Sequence, residues 1–157
     1  MALKLDTKLA NTILRGVPGA FILNSGIGKL GLPEEAAQGL QEMAVRGIPA
    51  LSKLSPKQFG WFISGGEIAV GASLLAPFVP TRVAGLALAG FSGSMLSMYL
   101  NTPEMTEDDG IRPSQSGTPV AKDSWLLAIA VALIISGTAT AHDKKKAKKA
   151  KKAAKEA

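Results

Sequence analysis

Long uncharged runs separated by short polar segments organise this chain. Residues 83–100 (VAGLALAGFSGSMLSMYL) and 125–141 (WLLAIAVALIISGTATA) contain no charged side chain. A helix needs about 20 apolar residues to cross the ~30 Å hydrocarbon core of a bilayer, so both runs predict membrane spans. Residues 59–79 are long enough for a third, with Trp61 near one end, Pro77 and Pro80 at the other, and one acid, Glu67, near the middle. The most polar candidate is 12–30, which holds Arg15, Pro18, Asn24 and Lys29. Between the first two spans, Pro33-Glu34-Glu35 reads as a helix start. Ala36, Ala37, Leu40, Met43, Ala44 and Val45 then recur at helical spacing, and Gly47 and Pro49 end the run.

Charge decides how many of these runs cross. Lys4 and Lys8 precede the first span and Arg15 lies in its first turn, Arg82 sits between the second and third, and a lysine run follows the fourth. The loop 102–123 carries Glu104, Glu107, Asp108, Asp109 and Asp123 against Arg112 and Lys122. Basic flanks stay in the cytoplasm. Four spans with both ends inside satisfy that rule, and three or five do not. The expected fold is therefore all-α: an integral membrane four-helix bundle with a short amphipathic helix in its first outer loop. Residues 1–11 form a cytoplasmic arm, 12–141 the membrane domain and 142–157 a basic cytoplasmic tail. The expected location is the cell membrane, multi-pass.

Composition narrows the chemistry. The chain is 46% hydrophobic and 19% charged, where a soluble domain carries about a quarter charged residues. Eight of its 18 Lys and Arg residues fall in 144–157 and account for most of the net charge of +6. With no cysteine and one histidine, His142, thiol chemistry and Cys- or multi-His-ligated metals are excluded for this chain. Residues 1–14 lack the apolar stretch of a removable signal peptide. No metal site is expected, and no serine sits in a nucleophile elbow.

Inside a bilayer an ionisable group is costly and marks function by default. Glu67, with Ser64 on its own face, is the candidate. Arg15, Ile22, Gly26 and Lys29 share one stripe of the first helix, with Asn24 and Ser25 adding polar groups. The expectation is that Glu67 pairs with Lys29 or Arg15, directly or through Asn24 or water. Two readings stay open: a proton carrier or ligand for a quinone or head group, and an ion pair that fixes helix register. Small residues at intervals of four (Gly65, Ala69, Ser73; Gly85, Ala89, Gly93, Ser97) predict close helix packing.

In the tail, Lys144, Lys145, Lys146, Lys148, Lys149, Lys151 and Lys152 predict binding to the anionic inner leaflet. No aromatic residue interleaves them to stack bases, so no specific nucleic-acid partner is expected.

The run Phe21…Ser25-Gly26-Ile27-Gly28-Lys29-Leu30 after an arginine resembles the F-x-x-x-x-G-x-x-K-L signature of the DoxX family. Glu67-Ile68…Gly71…Leu74-Leu75, followed by a turn and Arg82, resembles that family's E-x-x-x-G-x-x-L-L segment. The likeness covers roughly 14–100. It implies a four-helix membrane protein that serves as a small subunit of a respiratory or oxidative-stress redox complex. Such a subunit has partner proteins and at most a quinone-linked activity that it does not perform alone. The long acidic loop and lysine tail depart from the family pattern, and without cysteine the chain cannot relay thiol equivalents. A non-redox transport or structural membrane protein is the alternative.

Overall fold

A computed structural model describes residues 2–156, with side chains described for 7–142 and for Lys146. Among these residues the chain is helical, with one isolated β-bridge between Thr106 and Pro113. Helix α1 spans Ala2–Gly28, α2 Glu34–Gly47, α3 Pro56–Leu75, α4 Thr81–Leu100, the single turn α5 Thr118–Ala121, and α6 Asp123–Glu156.

Local chemistry accounts for the boundaries. Ser55 opens α3 with a capping box: its Oγ accepts from the Gln58 amide at 3.2 Å, and its own amide donates to Gln58 Oε1 at 2.9 Å. The helix stops at Leu75, short of the sequence-predicted 79. Ala76 precedes Pro77 and is extended (φ −70°, ψ 116°), because a proline ring disfavours helical backbone in the residue before it. Gly31 takes a positive φ of 72° in the turn after α1, a conformation glycine adopts without steric cost. The N-terminal arm and the lysine tail are continuous with α1 and α6, so each of these helices is longer than its predicted span.

Two antiparallel pairs make up the body: α1 packs along α3, and α4 along α6. Residues of all four meet in one core of Ile22, Leu74, Ala84, Leu88, Ala130 and Leu133. Asn11 donates to Ser136 Oγ at 2.8 Å and ties α1 to α6. Of the small-residue stripes, Gly85 permits close approach, since a Cβ there would lie 3.0 Å from the Ala130 carbonyl, whereas a Cβ at Gly65 or Gly93 would meet nothing. At Gly71 a Cβ would lie 2.5 Å from the Leu23 amide nitrogen, and at Gly137 2.5 Å from that of Arg82.

One end of the body carries α2 and the loop 102–123; the other carries the α3–α4 turn. Helix α2 lies across the start of α3 and the end of α4. It buries Ala37 and Gln41, and Ser97 donates to the Gly47 carbonyl at 2.9 Å. Gln41 donates to the carbonyls of Leu51 and Leu54, both at 2.8 Å. Arg46 reaches Glu104 at 2.7 Å, and Tyr99 donates to the Ile111 carbonyl at 2.6 Å. In the loop tip, Arg112 and the amides of Ile111 and Arg112 donate to Asp109 and hold its carboxyl down at about 2.

Two helical stretches are long and apolar enough to cross a membrane, Thr81–Leu100 and Thr118–His142, with mean hydropathies of 1.5 and 1.9. Only 33% and 11% of their apolar windows are buried within the chain. A soluble core helix would be mostly covered, whereas these turn Leu86, Trp125, Val131 and Ile135 outward.

Replacing Gly71 with Leu should separate α1 from α3 and destabilise the fold, since overpacking costs about 1–3 kcal/mol or more. Gly65→Ala, in open space, should be neutral or slightly stabilising. Thermal unfolding of both variants in mild detergent checks the contrast; equal midpoints would mean that Gly71 is not a packing contact.

Candidate functional site

The α1–α3 interface converges on one ion pair. Lys29 Nζ lies 2.8 Å from Glu67 Oε2 and 3.0 Å from Oε1, and donates to Ser25 Oγ at 2.6 Å. Glu67 is buried, while the Lys29 side chain keeps 22% of its surface exposed. Helical spacing brings Ser25 and Lys29 together, four residues apart on one face. Gly26 lets the backbones approach: a Cβ there would sit 2.9 Å from that of Glu67 and 2.8 Å from the Ile68 nitrogen.

The pair sits beside a cavity of about 290 Å³ at the α2 end of the body. Lys29 and Ser64 line its inner part, with Gly60 and Trp61 of α3, Lys57, and the α1–α2 turn at Leu32 to Glu34. Its volume is at the small end of the range for small-molecule sites. The lining combines aromatic and apolar surface with the amines of Lys29 and Lys57 and the carboxylate of Glu34. Ser64 is buried one turn before Glu67, and its hydroxyl donates to the Trp61 carbonyl at 3.3 Å.

The six site residues singled out in the sequence do not form one cluster. Glu67, Lys29 and Ser25 are bonded together, and Ser64 adjoins them. Arg15 shares the stripe but is 14 residues from Lys29, about 21 Å along the helix, and never reaches Glu67. Its guanidinium instead caps the end of α3. It donates to the carbonyls of Ser73 (3.0 Å), Leu74 (2.8 Å), Ala76 (2.8 Å) and Val79 (3.0 Å). The Ser73 and Leu74 carbonyls lose helical partners where Pro77 breaks the chain, and a cation also suits the negative end of the helix dipole. Asn24 bridges nothing either: its side chain is exposed, on the side of α1 turned away from α3.

Other features carry no distinctive signal in the sequence. Lys57 reads as an ordinary loop lysine and Trp61 as an interfacial aromatic. Their place beside Lys29 depends on how the α1–α2 turn folds over the start of α3. The Ser55-Pro56-x-Gln58 capping box was legible as a helix start three residues before the predicted one. Apart from Lys146, which is exposed, the tail lysines named above lie outside the residues whose side chains are described. Among the described residues, no three His, Asp or Glu side chains converge in a way that would hold a metal ion.

Arg15→Gln should unsatisfy several carbonyls at once, and Arg15→Lys should recover only part of the loss, because an ammonium cannot span a five-donor fork. Hydrogen exchange checks this: protection of the 76–81 turn should fall in the order Arg, Lys, Gln. Unchanged protection in the Gln variant would remove the cap from the account.

Comparison with family models, with curated proteins and with solved structures finds no match to this chain.

Proposed function

We propose that α1, α3, α4 and α6 each cross the bilayer, with both chain ends in the cytoplasm. The cavity beside Lys29 and Glu67 then receives the polar head of a membrane-soluble small molecule, a quinone or quinone-like carbonyl compound. The alternate direction of the helices supports four crossings. It puts the acidic loop and α2 on one side, and the basic arm, Arg82 and the lysine tail on the other. On that side Lys146 and its neighbours would meet anionic lipid.

One observation carries the ligand reading. The Lys29 amine is paired at 2.8 Å with a buried carboxylate, yet is partly open to a cavity. It can donate to a ligand oxygen by releasing Ser25 while Glu67 continues to balance its charge. Trp61 and Pro33 offer flat apolar surface for a ring. The chain has no cysteine and one histidine, so electrons for any quinone chemistry would come from a partner subunit. This fits the DoxX-like reading of a small membrane subunit of a respiratory or oxidative-stress redox complex.

The geometry favours a site over a solute or proton path. From Glu67 toward Arg15 the α1–α3 interface is built of Leu23, Gly71, Gly19, Leu74 and Leu75, with no polar side chain to continue a relay.

The absence of cysteine provides the test. Leu32→Cys, at the cavity rim, should react with a membrane-impermeant maleimide from outside intact cells. A short-tailed quinone analogue should slow that reaction several-fold, and Lys29→Met should abolish the protection. Labelling only after permeabilisation contradicts the topology; labelling that quinone leaves unchanged contradicts the ligand.

A further inference from the structure

Helix α1 has two glycine faces, and the fold uses one of them. Gly19 and Gly26 press on α3, where added Cβ atoms would meet Leu74 at 2.9 Å and Ile68 at 2.8 Å. Gly16 and Gly28 meet nothing within 4 Å. At 3.6 residues per turn, the series Gly16, Ala20, Asn24, Gly28 falls on the side of α1 roughly opposite α3. Val17 and Phe21, 70% and 76% exposed, flank it. No other described element covers this face.

Asn24 is what distinguishes it from an ordinary lipid-facing surface. The amide is exposed and makes no hydrogen bond with the described residues. Arg15 marks the level of the α3 C-terminus, and Asn24 lies nine residues further along, about 13 Å. That is close to half of the ~30 Å hydrocarbon thickness. Neither water nor head groups satisfy an amide at that depth, and a polar group left unpaired there is costly. A carboxamide both donates and accepts, so it is complementary to a second copy of itself. A two-fold axis places identical residues opposite one another. The small residues one turn above and below let two backbones come close enough for the amides to meet.

We infer that two copies of this chain associate through this face of α1, with their Asn24 side chains hydrogen-bonded to each other across a two-fold axis. The inference rests on α1 spanning the bilayer. It is independent of any ligand in the cavity, which opens on the other side of the helix. It also leaves α3 free of the dimer contact, so each copy keeps its own Lys29–Glu67 site.

The test uses the full-length cysteine-free chain in lipid bilayers at low protein density. Fluorescence energy transfer between copies should report a dimer, and Asn24→Leu should weaken association about three- to twenty-fold. Asn24→Gln should restore much of it. Leu is fully compatible with lipid, so a loss of folding is not expected. Impermeant labelling of Leu32→Cys in the same background confirms that α1 still spans. In native membranes treated with a membrane-permeant copper–phenanthroline oxidant, which takes up the two electrons, Ala20→Cys should form a disulfide-linked dimer, while Ala69→Cys, exposed on α3, should not. Unchanged association of the Leu variant, equal cross-linking at both cysteines, or an adduct of Ala20→Cys with a different protein would each overturn the self-pairing. If Leu32→Cys is not labelled from outside, the spanning of α1 fails first, and the dimer falls with it.

Discussion

A carboxylate in an apolar interior needs a cation within reach, and the α1–α3 pair is arranged around meeting that need for Glu67. Removing a charge from water costs several kcal/mol that only a close, well-bonded partner returns. Lys29 supplies the charge, Ser25 takes up a further ammonium donor, and Gly26 makes the approach short enough. Removing either charged partner would strand the other, at a cost of about 3–5 kcal/mol for a buried pair. The pair therefore fixes the register of α1 on α3 whatever else it does, and a register role and a ligand role are compatible. The partial exposure of Lys29 is what a purely structural pair would not require.

The same helix deals with a second electrostatic problem at its other end. Pro77 ends α3 abruptly and leaves the Ser73 and Leu74 carbonyls without a backbone amide. Arg15 reaches across with a planar fork and bonds both, together with the carbonyls of Ala76 and Val79 in the turn that follows. Between the two cations the interface is apolar and close-packed, so α1 is pinned at both ends and dry in the middle. Such a helix can present its opposite face without losing its place on α3. Asn24, exposed on that face, takes no part in holding α1 to α3.

Much of this was legible in the sequence, for identifiable reasons. Helices α4 and α6 follow from uncharged length alone, and α2 from its acidic start, helical spacing and Gly47 stop. That Glu67 needs a basic partner on the first helix followed from burial, and the choice of Lys29 or Arg15 from the shared stripe. The stripe could not separate Lys29 from Arg15, because helical periodicity fixes the face and not the depth. Depth is set by the register of α3, through the Leu23–Gly71 contact, which pairwise spacing on one helix does not encode. Proximity in sequence groups Asn24 with the site, although a residue two positions from Gly26 points elsewhere. The cavity was invisible, since a turn and an adjacent helix start build it and no motif marks them. The DoxX-like reading remains a proposal carried by the Phe21–Leu30 and Glu67–Leu75 residues.

The central claim is that the Lys29–Glu67 pair holds α1 in place against α3. A double-mutant cycle of Lys29→Met and Glu67→Gln, read by thermal unfolding in mild detergent, measures this directly. The account predicts that each single variant is destabilised and that the double variant loses clearly less than the sum of the two. Losses that simply add, or single variants as stable as the native protein, would contradict it.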